Sequence, residues 1–412
     1  MPSSDKSYPY QAFGVCLLMY AMSQMDLALF AYAVPSIKAE FGLTQVGIMS
    51  IVSSAFLLAA VGIVWLGWLT DRLGRKGMFQ FSLIGSSILV TLHSIVPNPG
   101  TLVLLRGSSL AVGGLTYPIT GSILAEEFPA KIRGFFLGLL QIGYPLGWVF
   151  ASWWAAWLLA DYGWRVLFLV GLASLPLVLL VHWKVREPPR FVASKTQGER
   201  PRLSELLGPG IRRRALLLFA AQFLFVSAYA GSVFNFPSYL MENRGLEIPS
   251  YSKLIGYGHL IGILGYIAAA FVGEFVITRR NTVVIWTLLG ALMFQIMIWR
   301  TDSYGELLVM YGLTTMFFYG SAAVKFAYLA EVFPTRLRAT AMATCGSFAV
   351  ILGSAVGPLL VAFFERQYGW NVAFALIVGI PLFLAGLLYM FLIPVPSGLE
   401  VEEVDNYLKT ES

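Results

Sequence analysis

Apolar residues in this chain run in long blocks that short polar breaks separate. Each block is close to the roughly 20 residues that an α-helix needs to cross a bilayer. Since lipid offers backbone amides no hydrogen-bond partner, each block is predicted to be helical. The pattern therefore predicts an all-α membrane protein with twelve transmembrane helices, at about residues 11–36, 46–68, 77–96, 101–125, 134–158, 164–183, 214–240, 251–276, 282–300, 305–329, 339–364 and 371–393.

Two short motifs occur twice at nearly the same spacing. The run Ala125–Pro129, with Arg133 after it, returns 205 positions later as Ala330–Pro334 with Arg338 after it. The run Tyr-Gly-Trp at 162–164 returns 206 positions later at 368–370. One register thus relates two halves of the chain. Two pseudo-symmetric six-helix bundles in one membrane protein are typical of secondary transporters.

A polar, proline-containing connection at 184–213 divides the halves. We therefore expect an N-terminal bundle at 1–183, a linker at 184–213, a C-terminal bundle at 214–395 and a tail at 396–412. Lys and Arg concentrate after the even-numbered helices and in the linker. Because positive loops stay on the cytoplasmic side, both termini are expected to be cytoplasmic and the protein to lie in a bacterial inner membrane.

Composition removes several other classes of protein. Charged residues make up 12% of the chain, about half the roughly 25% of soluble domains. The net charge of +6 follows the loops, so it indicates orientation and no nucleic-acid binding. The two cysteines, Cys16 and Cys345, lie inside predicted spans, and nothing is spaced as a metal site.

The break between helices 2 and 3 carries a specific motif. Gly67, Asp71, Arg72, Gly74 and Arg75 fit the pattern G-x-x-x-D-R-x-G-R-[RK]. With twelve spans and this position, the chain resembles the major facilitator superfamily over essentially its whole length. The resemblance implies that Asp71 pairs with an Arg and the N-terminus of helix 11, and so holds the outward-facing state. The expected conformational latch comprises Gly67, Asp71, Arg72, Gly74, Arg75, Glu126, Arg133, Glu331 and Arg338.

Three ionisable residues fall at membrane depth, where a charge is costly and usually functional. Asp26 is near the middle of helix 1, Arg106 is in helix 4 and Lys325 is in helix 10. The resemblance implies that helices 1, 4, 7 and 10 line a central cavity, so the three charges occupy three of its four walls. The alternatives are that Lys325 extends to the cytoplasmic face, that Arg106 forms a structural pair between helices, and that Asp26 has a purely structural role.

Asp26 and Arg106 are the predicted proton-coupling residues. Desolvation favours the protonated form of a buried Asp, whereas a neighbouring cation favours its ionised form. These opposed effects allow proton exchange near neutral pH. The predicted substrate-binding residues are Arg106, Lys325, Gln141, Tyr229, Asn235 and Tyr319, because cations hold carboxylates and tyrosines give apolar walls with one polar tip.

The sequence around Asp26 resembles helix 1 of the aromatic-acid, sialate and related metabolite:proton symporters. Those porters carry D-G-x-D, and Asp26 stands at the second Asp, while Ser23 and Gln24 replace the first Asp and the Gly. We therefore predict proton-coupled symport of a small organic anion, a carboxylate or sugar acid, by rocker-switch alternating access. The expected partners are this anion, protons and the bilayer, with the protein a monomer.

Other functions stay open at this point. A proton-antiport exporter would carry G-x-x-x-G-P-x-x-G-G in helix 5, of which 143–147 keeps only fragments. A nutrient sensor would bring a long cytoplasmic extension, and a membrane enzyme would need a constellation such as Ser-His-Asp. The chain is therefore predicted not to be an enzyme. Since no G-x-x-x-x-G-K-[ST] motif occurs, we expect no cofactor and a proton gradient as the driving force.

Overall fold

The computed structural model is an all-helical membrane protein. It describes residues 7–73, 75–186, 205–206, 208, 211–333, 337, 340–396 and 407. The predicted linker and tail therefore fall largely outside the described residues. Within the described part the chain is built from helices, with strands absent, as the hydrophobic pattern predicted.

The first half contains six crossings, α1 to α6, some of them interrupted. Their segments are α1 Tyr8–Glu40, α2 Gln45–Leu73, α3 Arg75–Thr91 with the 3₁₀ turn Leu92–Ile95, α4 Pro99–Gly113 and Thr116–Glu127, α5 Ala130–Leu140, Gly143–Trp154 and the π turn Ala155–Leu159, and α6, which begins after Gly163 and continues through Phe168–Ser174 and Val178–Lys184.

The second half repeats this plan in crossings α7 to α12. Their segments are α7 Arg212–Glu242, α8 Ile248–Phe275, α9 Arg279–Arg300, α10 Tyr304–Thr314, Thr315–Tyr319 and Ala322–Glu331, α11 Met342–Phe348 and Ala349–Tyr368, and α12 Trp370–Phe374, Ala375–Gly379 and Ile380–Met390.

Eleven helical stretches of the described chain are long and apolar enough to span a membrane. One of them, Lys131–Lys184, is 54 residues long and divides at Gly163, where φ is 79° and ψ is 170°. Only glycine adopts this backbone conformation without strain. The stretch therefore contains both α5 and α6, and the predicted count of twelve crossings is confirmed.

The backbone repeats the pseudo-symmetry of the sequence. Gly163 corresponds to Gly369, with φ of 78° and ψ of 170°, and both lie in the duplicated Tyr-Gly-Trp runs. The αL glycine after α1, Gly42, likewise corresponds to Gly245 after α7. Interruptions of α4 at 114–115 and of α10 at 320–321 are also equivalent. The duplication therefore extends to turns and to helix breaks.

The halves contact each other at one face, which we call the distal face, where α1 ends and α2 begins. There Lys38 forms an ion pair with Glu242 of the other half. Deeper in the same face, the Gln45 amide donates to Asn235 Oδ1 at 2.8 Å, and Ser53 donates to the Ala355 carbonyl at 2.5 Å. These contacts close the distal end of the interface between the bundles.

Candidate functional site

A cavity of about 280 Å³ lies between the two halves. Residues of α1, α2 and α5 line one side, and residues of α7, α8, α10 and α11 line the other. Its walls are mainly aromatic, and their other polar groups include three glutamines and one lysine. The lining includes Tyr20, Gln24, Leu27, Phe56, Gln141, Tyr144, Gln222, Phe225, Tyr229, Phe234, Tyr266, Tyr319, Lys325 and Val350. Gln141, Tyr229, Tyr319 and Lys325, all predicted from the sequence, thus come together.

Hydroxyl groups in this wall are fixed by hydrogen bonds between helices. Tyr229 donates to the hydroxyl of Tyr144 across the two halves. Tyr20 donates to Gln141 Oε1 at 3.3 Å, and Tyr319 lies 3.1 Å from Ser232 Oγ. The polar tips are therefore oriented by the protein before any ligand enters. Such pre-organisation reduces the entropy lost on binding.

Lys325 is the positive charge of this cavity. Its side chain is 8% exposed, and Nζ lies 2.8 Å from the centroid of the Phe225 ring. No described carboxylate comes within 4.0 Å of this ammonium. The ring face stabilises the cation only partly, since a buried charge normally requires a counter-ion. The cavity therefore offers an uncompensated cation to an anionic ligand.

A second cavity of about 180 Å³ adjoins the first. The two share Gln24, Leu27, Phe56 and Val350 in their linings. Asp26 and Arg106 line this second cavity and are 5% and 2% exposed. The structure thus brings the two predicted proton-coupling residues to one space, next to the space that Lys325 lines.

Asp26 and Arg106 lie near each other without a direct ion pair, as no contact within 4.0 Å joins their charged groups. Arg106 Nη2 donates to the Leu27 carbonyl at 3.0 Å, and its guanidinium lies 4.4 Å from the centre of the Phe30 ring. Asp26 Oδ1 is buried without a hydrogen-bond partner. An unsatisfied buried carboxylate oxygen is costly, so this oxygen is a natural place for a proton.

The two helices that carry Arg106 and Lys325 are both interrupted. Arg106 precedes the break in α4 at 114–115, and Lys325 follows the equivalent break in α10 at 320–321. Gly113 and Gly114 themselves line the Asp26 cavity. Irregular backbone at membrane depth is tolerated where it lines a cavity. The break in α4 fits that rule.

Asn235 does not join the other predicted residues. It is fully buried, and its amide Nδ2 donates to the carbonyls of Gly231 at 2.9 Å and Pro358 at 3.2 Å. Its Oδ1 accepts from Gln45. The side chain therefore connects α7 with α2 and α11, and it lines neither of the two cavities.

Several lining residues were missed by the sequence reasoning, notably Tyr20, Phe225 and Tyr266. Helical spacing could have found the first, because Tyr20, Gln24 and Leu27 recur at i, i+4 and i+7 on one face of α1. The residues Phe225 and Tyr229 of α7 also lie four apart on one face. Tyr266 of α8 gives no comparable signal, since its apolar surroundings are uniform.

The predicted latch is only partly described. Two of its residues, Gly74 and Arg338, lie outside the described residues. The side chains of Asp71, Arg72, Arg75 and Glu331 and the surroundings of Gly67 also lie outside the described part. Arg133, which is described, donates from Nε to the Phe128 carbonyl at 3.2 Å within its own turn, and Glu126 lies in the preceding segment of α4. The latch therefore stays a prediction.

A buried ion pair that the sequence reasoning missed lies between α8 and α9. Arg279 Nη2 and Glu274 Oε2 are 2.5 Å apart, and both side chains are buried. Gly134 of the first half packs against this pair so closely that a Cβ there would collide with both charged groups. This contact joins the halves at the end opposite to the distal face.

Comparison with known proteins gives a consistent result. The family model described as Major Facilitator Superfamily matches residues 16–320. The chain is 30% identical over 390 residues to the cis,cis-muconate transport protein of Acinetobacter baylyi, with 92% of each chain covered. It is 26% identical over 416 residues to the gallate transporter of Pseudomonas putida, covering 92% of this chain and 91% of the relative.

Among solved structures, the fold is similar to that of a bacterial homologue of the human lysosomal transporter Spinster in an inward-facing, unoccupied conformation. The TM-score is 0.64 at 16% sequence identity, and the match covers 94% of this chain and 96% of that one. At this identity the likeness concerns the fold alone.

Proposed function

This chain belongs to the Major Facilitator Superfamily, and from that premise we propose that it is a secondary active transporter of a small organic carboxylate, moved by symport with protons. The observation that carries the proposal is the ammonium of Lys325, which lies in an aromatic cavity between the halves without a described counter-ion. A carboxylate would complete this site by a charge-assisted hydrogen bond. The family is one of transporters, so no enzymatic activity is assigned.

The shape and size of the cavity favour a small, flat anion. Its volume of about 280 Å³ is near the lower limit of roughly 300 Å³ for small-molecule sites. Tyrosine and phenylalanine rings surround it, and such rings pack well against conjugated or aromatic ligands. The named substrates of two relatives, muconate and gallate, are small unsaturated carboxylates. These features together support a carboxylate of this kind over a drug-sized molecule.

Asp26 is the proposed proton carrier, with Arg106 as its electrostatic partner. Burial and the unpaired Oδ1 favour the protonated form, whereas the nearby guanidinium favours the ionised form. Because the two cavities adjoin, a proton on Asp26 and an anion at Lys325 influence each other through a medium of low dielectric constant. This arrangement supports coupling of the two ligands.

The proposed cycle is a rocker switch. The distal contacts between Lys38 and Glu242 and between Gln45 and Asn235 close one face. Rocking would break them and open the cavities to that side. A half-loaded chamber leaves an unpaired buried charge, which raises the free energy of the occluded state. The proposed cycle requires that the chamber with both ligands and the empty chamber rock, and that a chamber with one ligand does not.

Orientation follows from the distribution of charge. We place the termini and the linker in the cytoplasm of a bacterial cell, because Lys and Arg concentrate there. The distal face then points to the outside, and the proton gradient across the inner membrane drives uptake without a bound cofactor. In this proposal a single chain is the functional unit, and the Asp71 motif acts as its latch on the cytoplasmic side.

Transport in proteoliposomes tests the proposal. An inward proton gradient should drive accumulation of benzoate beyond that in liposomes without protein, and a protonophore should abolish this difference, whereas the neutral isostere benzamide should not accumulate. Asp26→Asn should lose accumulation at least tenfold, and Asp161→Asn, at an exposed carboxylate, should behave as wild type. Equal uptake with and without the gradient, or an Asp26→Asn variant that still accumulates substrate, would contradict proton symport. Proton-driven efflux would instead indicate an exporter.

A further inference from the structure

Three side chains that can carry a formal charge, besides tyrosines, line the two cavities. Apart from tyrosines, the ionisable side chains that line them are Asp26, Arg106 and Lys325. Both cations lack a carboxylate within 4.0 Å among the described side chains. With both bases protonated, the formal charge of the two adjoining cavities is +1 when Asp26 is ionised and +2 when Asp26 is protonated.

The protonation state of Asp26 therefore decides which anion neutralises the cavities. A buried space of low dielectric constant favours the ligand that brings its total charge to zero. A monoanion neutralises the space only while Asp26 is ionised. Once Asp26 carries the proton, a monoanion leaves one positive charge uncompensated, and a dianion leaves none.

We infer that the preferred substrate is a short dicarboxylate, with one carboxylate held by Lys325 and the other by Arg106, and that its second carboxylate binds when Asp26 is protonated. This inference rests on the proposed function and names the charge class of its substrate. Gln24, Leu27, Phe56 and Val350 line both cavities, so the two cations lie in neighbouring spaces that a ligand of this length is proposed to bridge.

Arg106 is available for this role. Only its Nη2 makes a hydrogen bond that the structure records, to the Leu27 carbonyl, while one face of the guanidinium stacks on Phe30. The remaining N–H groups of the guanidinium can donate hydrogen bonds to a carboxylate. Ionised Asp26 competes electrostatically with that carboxylate for Arg106, and protonation of Asp26 removes the competition.

The charge environment of Asp26 sets the controls. Arg106 of α4 is its near cation, and His93, at the end of α3, lies close enough to Arg106 for their charges to interact. Lys325 of α10 and the tyrosines of α1, α5, α7, α8 and α10 face the adjoining cavity. His93 is a second ionisable side chain close to Arg106, so its contribution must be separated from that of Asp26 by experiment.

A matched ligand pair provides the test on the wild-type protein. trans,trans-Muconate and sorbate share a six-carbon conjugated chain of the same geometry, but muconate has two carboxylates and sorbate has one. Both are fully ionised above about pH 6. In nanodiscs we expect the Kd for muconate at pH 6 to be at least tenfold lower than that for sorbate. From pH 6 to pH 8 muconate binding should weaken by up to about tenfold per pH unit, as linkage to one proton requires.

Variants assign the effect to particular residues. Asp26→Asn should make the muconate Kd independent of pH, and His93→Gln should retain the pH dependence. Arg106→Gln should raise the ratio of the muconate Kd to the sorbate Kd at least tenfold, and Arg213→Gln, at an exposed site of the linker end, should leave that ratio unchanged.

Several results would overturn the inference. They are equal affinity for the two ligands, a muconate Kd independent of pH, or a pH dependence that His93→Gln removes and Asp26→Asn keeps. Proton-driven uptake of sorbate but not of muconate would reject the dicarboxylate and leave the proposed function standing. Failure of every carboxylate to be taken up would reject both.

Discussion

Replacement of Lys325 by methionine should weaken substrate binding and, at the same time, stabilise the protein. The side chain is 8% exposed, contacts the face of Phe225 and has no described carboxylate within 4.0 Å. Met keeps nearly the same length and volume but removes the charge. The two effects have opposite signs because the charge is unfavourable in the empty cavity and favourable beside an anion.

The magnitudes follow from burial. Loss of one partner of a buried charge pair costs about 2–5 kcal/mol of binding free energy, which corresponds to a Kd for benzoate or muconate roughly 30- to 4,000-fold higher. Exchange of buried ionic groups for apolar ones of similar volume raises the free energy of unfolding by about 1–4 kcal/mol. The substrate-free variant should therefore unfold at higher temperature than wild type.

Two measurements on the purified protein check this prediction. Substrate affinity is measured in nanodiscs, and thermal unfolding is followed in detergent without substrate. Lys184→Met is the matched control, because Lys184 is exposed at the end of α6. An exposed substitution of this kind should change stability by less than about 0.5 kcal/mol and leave the Kd unaltered.

A role for Lys325 as an uncompensated, substrate-binding cation is refuted if Lys325→Met destabilises the protein and leaves substrate affinity intact. That outcome would mean that the ammonium already has a partner in the resting protein and serves the fold. Loss of both affinity and stability would also contradict the idea of an uncompensated cation, since the apolar side chain should fit the cavity wall.

Other predictions concern the scaffold around the cavities. Gly163→Ala should lower the free energy of unfolding by roughly 1–3 kcal/mol, because φ there is 79°. Gly121→Ala, at an unstrained helical glycine with free space around it, should leave the free energy of unfolding nearly unchanged. Thermal unfolding of the two variants distinguishes these outcomes. Cysteines in place of Lys38 and Glu242, joined by a short cross-linker, should stop transport reversibly; continued transport would show that the distal face need not open. Asn235→Ala should cost about 1–3 kcal/mol of stability by leaving buried polar groups unpaired; lowered benzoate affinity without lowered stability would contradict its structural role.

Much of the fold was predictable because lipid imposes strict rules. A run of about twenty apolar residues has no alternative to a helix, so twelve segments could be counted directly. The glycine of Tyr-Gly-Trp also marked a real boundary, since Gly163 ends α5 with a backbone that other residues avoid. Helix ends were less predictable: α1 runs to Glu40, four residues beyond the expected limit, because the polar end of the helix continues past the apolar block.

The direction of individual side chains could not be predicted in the same way. In a helix surrounded by other helices and lipid, apolar residues occur on all faces, so periodicity separates the faces poorly. Asn235 illustrates this, as it lies on a helix that lines the cavity but bonds to α2 and α11. The helices α4 and α10 are also interrupted at 114–115 and 320–321, so a periodicity of 3.6 residues does not continue through them.

The symmetric scaffold carries an asymmetric set of charges, and this asymmetry bears on how transport is driven. At the offset that relates the breaks of α4 and α10, Arg106 corresponds to Gly312 and Lys325 to Ile119. At the offset that relates Gly42 to Gly245, Asp26 corresponds to Tyr229. Each half thus has one strong cation, at a position that is uncharged in the other.

A ligand that reaches both cations therefore joins the two bundles by its own charge. Its carboxylates lower the free energy of the occluded state, in which Arg106 and Lys325 are both near the ligand, more than that of any state open to one side. Binding energy of this kind reduces the barrier to rocking, whereas a ligand held by one half alone leaves the barrier unchanged. For this reason a compound that binds Lys325 tightly but does not reach Arg106 should inhibit transport and should not itself be carried.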